Sequence, residues 1–143
     1  MIGLALLVGG LAASAAAAHP TATATVKVAK TRLGTILVDG RGRTLYLFTD
    51  DRNGSITCTT PLSNCPAVWP PLFTTGTPKA GPGVDPKLLG TVHRTQPGGT
   101  QVTYKGHPLY IYSNDTKPGD VEGQGFIDAW YVVSPRGAAI KKK

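Results

Sequence analysis

A chain of 143 residues with 41% hydrophobic and 7% aromatic residues can bury one compact core and is too short for a multidomain enzyme. Its 18 glycines and 12 prolines favour short strands joined by turns, and the glycines lack the three-residue period of collagen. Much of the net charge of +7 sits near the ends, in Lys27, Lys30, Arg32 and Lys141 to Lys143, so the middle of the chain lacks the basic stripe of a nucleic-acid binder.

Residues 1–18 carry no charge and close on a run of alanines, the small-residue ending of a cleaved secretory signal. The expectation is a secreted, periplasmic or cell-envelope protein with no transmembrane span once that segment is removed. A lipid anchor is not expected, because no cysteine stands at the cleavage point. Residues 19–32 read as a flexible linker in which a strand pattern sets in at 26–29, residues 33–135 as a β domain, and residues 136–143 as a solvated basic tail. Strands are predicted at 35–39 and 43–49, joined by the hairpin loop Gly40-Arg41-Gly42.

The stretch 57–86 is dense in proline and reads as a stapled loop ordered by buried Trp69 and Leu72. In an oxidising compartment the spacing of Cys58 and Cys65 favours a disulfide; the other reading, metal ligation, would want more thiols or clustered histidines. The strand pattern resumes at 90–94, turns at Gln96-Pro97-Gly98-Gly99, and continues at 100–104 and 107–113. A polar turn over 114–125 precedes a last strand at 129–134. No amphipathic helix of three turns can be drawn beyond the signal segment, so the fold class is all-β.

Gly42, Leu45, Tyr46, Phe48 and Asp51 align with Gly106, Leu109, Tyr110, Tyr112 and Asp115 at a constant offset of 64 residues. Residues 33–36 echo 89–92 ahead of each copy, and Trp69 and Trp130 follow as core aromatics. The chain is therefore two degenerate β units, about 33–73 and 89–134. Neither buries a core alone, which predicts one mostly antiparallel sheet or a barrel-like domain, loop-rich and closed by one disulfide.

These residues, Tyr46-Leu-Phe48-x-x-Asp51 and Tyr110-Ile-Tyr112-x-x-Asp115 with Cys58, Cys65, Trp69-Pro-Pro-Leu72 and Gln101-Val-Thr-Tyr104, resemble the bacterial secreted repeat and predicted lipoprotein family defined by a Tyr-x-aromatic-x-x-Asp motif. The resemblance spans about 33–135. It implies an exported tandem-repeat envelope protein of unassigned molecular function and carries over no catalytic set. The chain departs from lipoprotein members in lacking the lipobox cysteine.

Alternation along the tyrosine strands puts Leu45 and Leu47, or Leu109 and Ile111, on one face and Tyr46 and Phe48, or Tyr110 and Tyr112, on the other. One reading buries both faces, with Asp51 and Asp115 capping turns or accepting tyrosine hydroxyls; the other lines the tyrosines up as a binding groove for a glycan, a peptide or a haem edge. Asp50, Asp51, Asn53 and Ser55, and Asp115, Asp120 and Glu122, form oxygen-rich turns without the spacing of a calcium loop. No serine nucleophile motif or evident carboxylate pair points to an enzyme. The expected function is a non-enzymatic binding or structural module without cofactor, its partner an envelope polymer or another exported protein. The alternative is a redox accessory protein holding haem or copper through His93 or His107.

Overall fold

The computed structural model describes residues 9–10, 22–52, 54–59 and 64–143, so nearly all of the expected signal segment, together with Asn53, lies outside the described residues. Strand β1 (Thr25–Thr31) pairs antiparallel with β2 (Gly34–Asp39), closing between Thr31 and Gly34. The Thr31 hydroxyl donates to the Gly34 carbonyl at 2.9 Å and accepts from the Leu33 N–H at 3.1 Å, while Gly34 supplies a φ of 104°. Residues 25–31, part of the segment expected as a linker, are thus a strand; the Ala and Thr residues that suggested a linker run only up to Thr25, and Val26 and Val28 give the strand an inner face.

Strand β3 (Tyr46–Phe48) follows, and a two-residue strand β4 (Lys79–Ala80) adds parallel to β1. A second hairpin joins β5 (Leu89–Thr95) to β6 (Gly98–Tyr104), with β7 (His107–Pro108) on its far edge. Strand β8 (Trp130–Val132) pairs with β3. The two hairpins are equivalent: Thr31 and Gly34 close the first, and Thr95 and Gly98 close the second, at the same offset of 64. The counterpart of β2 is therefore β6. The echo between 33–36 and 89–92 instead matches β2 with β5, which occupy different places in their hairpins; a Leu-Gly step before a Thr and a β-branched residue suits either strand. The turn expected over 96–99 shrinks to Gln96 and Pro97, with both glycines in β6.

The all-β class, two repeats and one disulfide stand, but the strands divide into three small open sheets ordered β2-β1-β4, β3-β8 and β5-β6-β7. Single bridges tie the sheets to the segments that run between them. The central one is Tyr46 to Tyr110, where each N–H donates to the other carbonyl at 2.9 Å. The tyrosine segments run straight for only a few residues before turning at Asp51 and Asp115, too short for a continuous sheet. Their alternation divides the interior in two. Leu45, Leu47, Leu109 and Ile111 pack with Val26, Leu37 and Val133 on one side, while Tyr46, Tyr110 and Tyr112 pack with Trp69, Trp130 and Ile36 on the other.

Cys58 and Cys65 form the disulfide, their Cα atoms 5.2 Å apart, next to a single helical turn α1 (Cys65–Val68). Residues 136–143, expected as a solvated tail, are partly tied down. Ala139 bridges Val133, and the Ile140 N–H donates to the Val132 carbonyl at 3.0 Å with its side chain against the aromatic core. The apolar pair Ala139-Ile140, ahead of the lysines, makes that docking favourable.

Candidate functional site

In both repeats the motif's spacing is that of a β-turn. The Asp51 N–H returns to the Phe48 carbonyl at 3.1 Å, and the Asp115 N–H to that of Tyr112 at 3.0 Å. Each turn swings its carboxylate back toward the strands, where it meets the tyrosine of the other repeat. The Tyr46 hydroxyl donates to Asp115 Oδ2 at 2.6 Å, and the Tyr110 hydroxyl donates to Asp51 Oδ2 at 2.5 Å. The second oxygen of each carboxylate is also engaged: Asp51 Oδ1 accepts from the Thr57 N–H and hydroxyl, and Asp115 Oδ1 from the Glu122 N–H.

Both carboxylates are buried. Burial raises their pKa values above the usual Asp range, against the tyrosine and backbone hydrogen bonds that favour the charged form. The two tyrosines are pushed up as well, by burial first and then by the neighbouring carboxylates, so both phenols stay protonated donors.

Four rings stack through the interface between repeats. Phe48 lies 4.2 Å from Trp130, Trp130 lies 3.9 Å from Trp69 at an interplanar angle of 5°, and Trp69 lies 4.4 Å from Tyr112. Tyr46 meets Trp69 edge-on at 5.2 Å, and Tyr110 meets Trp130 at 5.1 Å. With Phe48 and Tyr112 as repeat counterparts, the stack has the same two-fold pseudosymmetry as the Tyr-Asp exchange. Tyr46 and Tyr110 are fully buried, Tyr112 is nearly so, and Phe48 is half-buried. Of the two readings of these strands, a binding groove would need the rings open to solvent, while the other buries both faces. The strands face inward, because each of their two faces closes one of the two cores.

His93 is exposed on β5 and lines a shallow cleft with Gly54, Ile56 and Arg94. His107 lies in a different cleft of about 730 Å³ with Thr49, Asp51, Arg52, Thr91 and Lys105. Burial lowers its pKa, Lys105 adds to the effect, and Asp51 opposes it. The structure does not bring the two histidines together, and among the described residues no three His, Cys, Asp or Glu side chains are grouped to hold a metal ion. Within the second oxygen-rich turn, Asp120 accepts from the backbone N–H groups of Thr116 and Lys117 and pairs with the Lys117 ammonium at 3.0 Å.

Sequence reasoning missed Arg94 and gave Gln101 no role. Arg94 is 2% exposed, and its guanidinium donates to the carbonyls of Cys58, Gln96 and Pro97 and to Gln101 Oε1. Gln101 passes the contact on through Nε2 to the Leu109 carbonyl at 2.8 Å. Burial lowers the Arg94 pKa, and the nearby Tyr110 and Asp51 oppose that shift. An arginine in a strand otherwise exposed on alternate positions gives no sign of this in composition, since its burial depends on the Cys58 carbonyl 36 residues away as well as on acceptors in its own hairpin.

A family model described as a secreted repeat of unknown function matches residues 27–72 and 90–134. The two matches cover the two halves of the pseudosymmetric unit. No curated protein and no solved structure gives a match.

Proposed function

The chain belongs to this family of secreted repeats of unknown function, and we propose that it acts as a non-enzymatic module of the cell envelope whose Tyr-x-aromatic-x-x-Asp motif is a clasp between repeats. The observation that carries the reading is the exchange itself: each tyrosine hydroxyl is spent on the carboxylate of the other repeat, inside the protein. Acid-base work would need such groups open to a substrate, whereas here both tyrosines are fully buried and each carboxylate accepts from the tyrosine of the other repeat. Contacts with an envelope polymer or another exported protein then fall to outer residues, among them the polar cleft of Arg52, Lys105 and His107.

Native and denaturing mass measurement of the exported protein, followed by sedimentation with purified cell walls, tests this. The expected result is a native mass equal to that of the disulfide-bonded polypeptide, with binding to walls that Arg52→Ala or Lys105→Ala weakens and Tyr46→Phe leaves intact. Stoichiometric haem or copper in the native species would overturn the reading in favour of a redox accessory protein.

A further inference from the structure

Two large apolar side chains stand out among the described surface residues, Phe126 at 45% and Ile127 at 70% exposure. They are neighbours on a tight 3-10 turn (Phe126–Asp128) whose backbone lies largely in the left-handed region, with φ of 74° at Gly125, 48° at Ile127 and 56° at Asp128. A β-branched residue at positive φ is a genuine outlier, held here by the Gly125 N–H on the Trp130 carbonyl at 2.8 Å and the Asp128 N–H on the Gly125 carbonyl at 3.0 Å. The strain fixes an isoleucine in water, while Phe126 rests its ring on Trp69 at 5.9 Å.

The same corner gathers cations. Gln124, in the same loop, holds the C-terminal lysines by donating to the carbonyls of Ile140 and Lys142. The Lys141 ammonium lies 5.5 Å from the centre of the Tyr131 ring, whose hydroxyl binds Asp128 at 3.1 Å. The Lys142 ammonium reaches the β1–β2 turn, 3.9 Å from where a Cβ on Gly34 would stand. Of the acids between Tyr112 and Tyr131, Asp115 holds Tyr46, Asp120 pairs with Lys117 and Asp128 accepts from Tyr131, so Glu122 is the acid set against the C-terminal lysines.

We propose that the Phe126–Ile127 tip, with Lys141 and Lys142 of the C-terminal lysine run beside it, docks the protein on the surface of an anionic lipid bilayer. The lysines meet headgroup phosphates, and the tip enters the boundary between headgroups and acyl chains. Charge complementarity alone would also suit a polyanionic wall polymer. Such a polymer would leave the apolar tip in water, and lipid would not.

The test is co-sedimentation of the exported protein, its N-terminal boundary matched across variants by intact mass, with vesicles of phosphatidylcholine alone or mixed equally with phosphatidylglycerol. Wild type is expected to bind the anionic vesicles about tenfold more tightly or better. Ile127→Asn, which tolerates the left-handed backbone, should weaken that binding by about tenfold without lowering the melting temperature. Ile127→Gly serves as the second variant, free of strain at φ 48°. Joint replacement of Lys141, Lys142 and Lys143 by Gln should erase the preference for the anionic lipid. The proposal is overturned if wild type does not prefer anionic vesicles, if both Ile127 variants bind them as wild type does, which would leave a contact of charges alone without the apolar tip, or if the lysine-to-Gln variant keeps the preference.

Discussion

The phenol of Tyr46 has one donor hydrogen, and it is spent on a carboxylate that burial has already made costly to ionise. Replacing Tyr46 by Phe leaves Asp115 buried with one partner fewer. The expected loss is about 2 kcal/mol, or roughly 8 °C in melting temperature for a domain of this size, with Tyr110→Phe matching it through Asp51. Scanning calorimetry of the two variants checks this, and an unchanged melting point in both would remove the clasp. The carboxylates also set a pH dependence. Their folded pKa values lie above the unfolded Asp value, so the folded state holds more protons as pH rises between the two, and stability falls across that window. From near the unfolded value of about 4 upward, Asp51 and Asp115 thus detract from stability, and mild acid relieves the cost. Thermal melts between pH 7 and pH 4 should show a smaller rise, or a steeper fall, on acidification in Asp51→Asn with Asp115→Asn than in wild type. The reverse ordering would contradict the assigned direction.

At the scale of elements, the disulfide ties the helical turn α1 to Cys58. Cys58 and Cys65 close a ring at a sequence separation of 7, beside a helix of four residues. Removing the cross-link as Cys58→Ser with Cys65→Ser frees the unfolded chain by about 2 kcal/mol in the loop-entropy account. The melting temperature should drop by several degrees, and a melt insensitive to reductant in wild type would show that the staple contributes nothing. This element was readable in the sequence because proline density, export and cysteine spacing are local signals. So were the tyrosine strands, where period-two alternation at 45–48 and 109–112 marks the two cores that Leu45 and Tyr46 enter. Pairing was not readable. That Tyr46 would bond Asp115 and not its own Asp51, that β8 would lie against β3, and that Arg94 would reach the Cys58 carbonyl all depend on long-range docking that no local pattern encodes. The strand at 25–31 was half seen, since its valines are flanked by the small residues of a linker composition.

At the scale of the molecule, the exchange makes each repeat incomplete. The first half supplies Asp51 to Tyr110 and receives Asp115 for Tyr46; β3 finds its partner β8 in the other half, and the Trp130–Trp69 contact crosses the same boundary. The backbone follows the same rule, with the Leu37 N–H on the Val133 carbonyl and the Val102 N–H on that of Leu72, both at 2.9 Å. Hairpin β1–β2 and hairpin β5–β6 thus each take a strand neighbour from a segment far along the chain, and a half separated from its partner would expose both an unpaired sheet edge and a buried carboxylate. Such coupling predicts a single cooperative transition, with calorimetric and van't Hoff enthalpies equal. Tyr46→Phe and Tyr110→Phe should move that one transition together, although the substitutions lie in different repeats. Two resolved transitions, each shifted by the substitution in its own repeat, would mean that the halves fold independently and that the exchanged bonds are incidental to the fold.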